Sequence, residues 1–215
     1  MTISVTYDAA FAGSTVDDYL AFWTAGFVTA GHGYSNTGGF SNGTYDGDQY
    51  STHGRNGSDY AFIADSNDTN GLHYVWNPLL PASNNLNHYL YGSLDNVSLG
   101  EVLGGGNGSD FSLSNYVVTF SGLNLDSVLD AGRVGNDVHQ VIYGLMQGNT
   151  TALEGVLDTL LGLRCVHRQH LRRHHRSHQR CLGYRCRRPV PGRRPGPGCL
   201  IAGNKKRMAG HPGIR

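Results

Sequence analysis

Apolar positions change period twice along the chain, and each change marks a change of element. After Ile3, Val5 and Tyr7, which alternate as in a strand, Tyr19, Leu20, Trp23 and Phe27 recur at helical spacing. Ser14 stands where it can cap that helix. Between residues 48 and 120 the chain breaks into short β-branched and aromatic runs, YAFIA, LHYVW, HYLYGSL and YVVTF, separated by NG, SN, DG and GGG. Such punctuation predicts consecutive antiparallel strands. From Asp137 onward Val138, Val141, Ile142 and Leu145, and then Leu153, Val156, Leu157 and Leu160, form two helical stripes. A meander followed by a helix pair on one side predicts an α+β fold.

Composition divides the chain more sharply than periodicity does. Residues 1–163 contain Arg55 and Arg133 as their only basic side chains and all sixteen acidic ones, so their formal charge is 2 − 16 = −14. The other fifteen of the seventeen Lys and Arg fall in residues 164–215, which hold no acid. Cys165, Cys181, Cys186 and Cys199 also lie beyond the break, so residues 1–163 carry neither a disulfide nor a thiolate metal site. Two regions are therefore expected: one domain over 1–163, and a basic tail over 164–215 too charged and too poor in apolar periodicity to order itself. No stretch predicts a membrane span, and the amino terminus lacks the pattern of a cleaved signal peptide.

Several blocks carry more than periodicity. The opening SVTYD with DDYLAFW, the TGGF turn, GDQY, HYVW, HYLYGSLD, FSGLNLDS and above all VHQVIYGLMQGNTTALEG resemble the secreted haem-acquisition proteins, or hemophores, of Gram-negative bacteria, the HasA type. The resemblance spans nearly all of residues 1–163. It implies a carrier rather than an enzyme, with ferric heme b held between two loops. His32, in the loop after the first helix, and Tyr74 are the implied axial ligands, and His88 is the implied partner of the Tyr74 hydroxyl. An anionic phenolate suits iron(III), but the phenol must first lose its proton, which a neighbouring imidazole assists. The stretch from His32 to TGGF is shorter than is usual in the family, leaving Tyr34 as an alternative ligand. The stretch VWNPLLPASNNLN between Tyr74 and His88 is longer, and its Leu79, Leu80 and Leu86 are candidate apolar contacts. His53, His73 and His139 are read as structural, the last on a packed helix.

The resemblance further implies a monomer that is secreted by a type I exporter through an uncleaved carboxyl-terminal signal. It would take haem from haemoproteins such as haemoglobin and deliver it to a TonB-dependent outer-membrane receptor, gripped near GDQYSTHG and SLGEVLGGG. Neither nucleic-acid binding nor membrane insertion is implied. The alternative is a secreted calcium-binding or adhesion-type module without haem. LGGGNGSDFSL approximates one calcium-binding repeat, but a single copy cannot stack into a β-roll. Sequons at Asn42, Asn56, Asn67, Asn96, Asn107 and Asn149 are ordinary for an Asn-, Ser- and Thr-rich chain.

The tail reads best as an out-of-frame translation. An Asp codon GAC entered one base early, after a codon ending in C, becomes CGA, so acidic segments turn into arginine. VHRQHLRRH can be encoded so that a one-base shift gives SIDSTFDDI, which resembles the family segment after the last helix. RPGPGCL likewise shifts to AQGLAA and a stop. The altered tail would lack the export signal, which makes export of this chain doubtful.

Overall fold

The computed structural model describes residues 3–30 and 38–160. His32, Tyr34, the boundary expected at residue 163 and the basic tail expected to be disordered all lie outside the described residues.

The chain opens with β1 (Ser4–Tyr7) and a single 3-10 turn, then enters helix α1 (Val16–Gly26). Thr15, not Ser14, caps this helix. Its hydroxyl accepts from Asp18 N at 3.1 Å, while Asp18 Oδ2 accepts from Thr15 N at 3.0 Å. The two bonds form a capping box in which each residue satisfies the other's backbone N–H. Tyr19, Leu20 and Trp23 face inward from α1, and Phe27 packs beneath its last turn.

The sheet comprises β2 (Gly38–Phe40), β3 (Asp46–Gly47), β4 (Gln49–His53), β5 (Tyr60–Asp65), β6 (Leu72–Val75), β7 (Tyr89–Gly104) and β8 (Ser112–Ser127), together with β1. All pairings are antiparallel, in the order β1-β8-β7-β5-β4-β2, with β6 bridging β3 and β7. The expected meander is the run β4-β5-β7-β8, closed by β1 returning to the edge of β8. Helices α2 (Asp137–Met146) and α3 (Thr151–Leu160) follow.

Cross-strand register explains why the helices share one face. Phe62 pairs with Leu99, Ala64 with Val97, Val97 with Phe120 and Leu99 with Val118, and all join one core with α1, α2 and α3 residues. Their neighbours pair as Ser98 with Thr119 and Asn96 with Ser121, a polar set that faces away. β7 and β8 are sixteen residues each, longer than the short runs expected. Bulges interrupt the alternation that would have revealed their length. Three residues of β8, Gly122 to Asn124, oppose Asp95, and Tyr116 with Val117 opposes Gly100. Gly122, Asn124 and Tyr116 have positive φ there.

The glycine-rich run after β7 is the β7–β8 turn. Gly105, Gly106 and Gly108 all have positive φ, and the turn folds back so that Gly108 N donates to Ser41 O at 2.7 Å and Phe111 N to Gln49 Oε1 at 2.6 Å. It clasps the sheet. Gly92, at φ +110°, has the opposite importance: a Cβ there would meet the backbone of Gly71, so only glycine lets β6 lie this close to β7. β6 carries Tyr74.

Candidate functional site

Tyr74 and His73 are adjacent on β6 and so point to opposite faces. His73 stacks on Tyr91, with ring centroids 4.8 Å apart. Tyr74 enters a cleft of about 420 Å³ whose walls include Gly38, Phe40, Tyr45, Leu90, His139 and Met146. The sequence expectation held His139 to be a packing residue; it is buried, but in the wall of this cleft. Leu79, Leu80 and Leu86 are not among the lining residues, and Leu79 is 89 % exposed.

The cleft is built mainly from aromatic surface. Phe40 and Tyr50 meet edge to face across the β2–β4 pair, at 5.2 Å and 67°. Tyr50 Oη reaches Met146 Sδ at 3.5 Å, joining the strand edge to the end of α2. Tyr45 stacks on Tyr74 at 6.2 Å and 22°, and its carbonyl accepts from Tyr74 N at 2.6 Å. Gly38, the first described residue after position 37, forms part of the wall.

At this site Tyr74 Oη and His88 Nδ1 lie 2.5 Å apart. The longer intervening stretch does not prevent the pairing, because it is folded into successive turns: Leu80 N donates to Asn77 O, Asn84 N to Pro81 O and Asn87 N to Asn84 O. His88 itself is held at φ +55°, a left-handed conformation that a non-glycine residue adopts only when its surroundings impose it. Burial, followed by the nearby phenols of Tyr50 and Tyr45, pushes the Tyr74 hydroxyl above its ordinary value of 10.0. An environment that disfavours the phenolate thus places an imidazole nitrogen directly on the phenol. Such a group ionises when an electropositive centre arrives to stabilise the charge.

His139 stands on α2, whose cap Asn136 ties the helix start to β7. Asn136 Oδ1 accepts from His139 N at 3.0 Å, and its amide donates to Leu90 O at 2.9 Å and Gly132 O at 2.8 Å. The His139 Nδ1 accepts from Leu90 N at 3.4 Å, which assigns the proton of the neutral ring to Nε2. Tyr143 stacks on it at 5.3 Å and 18°. Burial first, then Arg133, pushes its pKa from 6.5 down to about 4. Because the folded-state value is depressed, the contribution to stability is complete above the unfolded value near 6.5 and is lost as pH falls from there towards about 4. The urea midpoint is therefore expected to drop over this window, and His139→Gln to flatten the drop. Equal pH slopes for both proteins would show that His139 is not the group responsible.

Sequence reasoning missed Tyr45, Asn136, Tyr143 and Met146. Asn136 alone had a legible signal, as an Asn immediately before an acidic first turn. The others become neighbours of Tyr74 only through sheet and helix packing.

The sequence profile of the family described as Heme-binding protein A (HasA) matches residues 1–166. The chain belongs to the HasA family. A curated relative, Hemophore HasA of Serratia marcescens, is 39 % identical over 166 residues, covering 75 % of this chain and 82 % of the relative. Among solved structures, an apo form of the hemophore HasA from Yersinia pestis aligns with a TM-score of 0.61 at 23 % identity, over 76 % of this chain and 91 % of that one. A holo form from the same organism aligns with the same TM-score at 22 % identity and the same coverage. These two likenesses establish the shared HasA fold. The family is one of haem-binding carriers, not enzymes, as expected from the sequence.

Proposed function

We propose that this HasA chain captures ferric haem, heme b, in the cleft beside Tyr74. Tyr74 supplies one axial oxygen, His88 accepts the hydrogen bond or the proton of its hydroxyl, and His32 supplies the second ligand, with Tyr34 as the alternative. The observation that carries the reading is the 2.5 Å contact between Tyr74 Oη and His88 Nδ1 in a cleft walled by aromatic and aliphatic side chains. A phenolate matches iron(III), while Phe40, Leu90 and Met146 offer the apolar contact that a porphyrin face requires. Relatives named as hemophores, one solved in a holo form, point the same way. Adding hemin to the purified protein tests it: a one-to-one endpoint with a phenolate-to-iron charge-transfer band is expected. An unchanged hemin spectrum would overturn the reading.

The carrier then takes haem from haemoproteins such as haemoglobin and passes it, as a monomer, to a TonB-dependent outer-membrane receptor. The segments proposed for that contact, GDQYSTHG and SLGEVLGGG, correspond to β3 with β4 and to the distal end of β7. Secretion depends on a carboxyl-terminal signal that residues 164–215 lack. Restoring the shifted frame by removing one base near codons 163–165 is expected to raise export through a type I system from background to the level of an intact family member. Export of the unaltered chain at that same level would show that the basic tail is itself sufficient.

A further inference from the structure

The stretch between Tyr74 and His88 presents a physical problem. Thirteen residues separate two groups that must meet within hydrogen-bonding distance, and a free loop of that length would leave the imidazole mobile. One side chain closes it. Asn87 is 1 % exposed, and its amide satisfies five backbone groups. Its oxygen accepts from Asn77 N at 2.8 Å and from His88 N at 3.0 Å. Its nitrogen donates to Asn77 O at 3.0 Å, Leu80 O at 2.9 Å and, more weakly, Pro81 O at 3.4 Å. Two N–H groups on one end and three carbonyls on the other leave only one orientation for the amide. A second anchor, Asn85, accepts from Arg133 N and Val134 N at 3.0 and 2.9 Å and fixes the loop to the segment before α2.

We infer that Asn87 is the positioning residue that holds His88 in its left-handed conformation with Nδ1 on the Tyr74 hydroxyl. Because its oxygen binds His88 N, the amide restrains the φ of His88 directly, and because its nitrogen gathers the turn carbonyls, it converts a long loop into a rigid one. Neither His88 nor Tyr74 touches the Asn87 amide except through that single backbone N–H among the contacts described. Asn87 thus acts through His88. The consequence for haem rests on the function proposed above; the positioning itself does not.

The two are separated by measuring them in different states. In haem-free protein carrying 15N-labelled histidine, the His88 Nδ1 resonance reports whether that nitrogen accepts a hydrogen bond. Asn87→Ala is expected to move it as far, and in the same direction, as Tyr74→Phe does. With hemin, Asn87→Ala and His88→Ala are each expected to weaken binding by roughly ten- to a hundredfold, and the double variant no further, since both remove one hydrogen bond to the ligand. An unmoved resonance in Asn87→Ala, or single losses that multiply in the double variant, overturns the inference. A moved resonance with hemin affinity unchanged in all three variants leaves the positioning role standing and removes instead the part of the haem reading that gives His88 a role in binding. Should Asn87→Ala fail to fold, Asn87→Ser, which keeps one acceptor oxygen, is put through the same comparison. There the His88 resonance is expected to move part of the way, and an unmoved one again overturns the inference.

Discussion

Replacing Tyr74 by Phe is expected to abolish the phenolate-to-iron charge-transfer band of the hemin-loaded protein and to weaken hemin binding at least about a hundredfold, beyond what loss of an outer partner of a metal ligand usually costs. The change removes one oxygen from a half-buried ring that stacks on Tyr45 and is carried on a strand paired on both sides, so the fold has no reason to respond. What is lost is the only phenol that has an imidazole nitrogen within 2.5 Å among the described contacts. Burial raises the pKa of that phenol, so the proposed ligation requires a proton to leave Tyr74, either to His88 or to solvent. Where it leaves to solvent, affinity rises with pH below the phenol's own titration. The spectrum and affinity of Tyr74→Phe, measured beside His32→Ala, rank the two proposed ligands. A larger loss in His32→Ala, with the charge-transfer band intact in Tyr74→Phe, would reverse the assignment.

The elements that sequence revealed are those whose burial follows a local period. Val138, Val141, Ile142 and Leu145 lie on one stripe because α2 has a single apolar face, and that stripe is buried as spaced. β7 and β8 were harder to delimit, since positive-φ residues such as Val102, Tyr116 and Asn124 break the alternation inside continuous strands. At the site, Tyr74 and His88 were recognisable from the blocks HYVW and HYLYG and their pairing was implied by the resemblance, but what holds it across the long intervening stretch was not legible. It depends on Asn87, one of many asparagines, whose importance comes from five backbone groups converging on it in space. His139 was legible as a buried helical residue and illegible as a cleft wall, because periodicity reports that a side chain faces inward without reporting whether the interior is solid there. The cleft is lined jointly by α2 and by β2 and β4, a tertiary fact with no local pattern.

The same distinction governs the largest expected effect on stability, that of Trp23. Its ring has no exposed surface, stacks on Phe27 at 4.6 Å and 24°, meets Phe62 edge to face at 6.5 Å, and donates from Nε1 to Ala61 O at 3.0 Å. Truncation to Ala removes one of the contacts that join α1 to the sheet and leaves a large cavity, a cost of about 3–5 kcal/mol. Against a total of roughly 5–15 kcal/mol, that is a third or more of the stability of many domains. Trp23→Phe keeps most of the apolar volume and loses the hydrogen bond, so it should cost less. Unfolding is best followed by far-ultraviolet circular dichroism, because the one other tryptophan, Trp76, is half-exposed beside the Tyr74 loop and reports that loop instead of the core. A loss below about 1 kcal/mol in Trp23→Ala would mean that the helix is not anchored there. In the still-folded variant the Tyr74 charge-transfer band should persist, since β6 pairs with β3 and β7 and not with α1. Disappearance of that band in a folded Trp23→Ala protein would instead make the seating of α1 a condition for ligation by Tyr74.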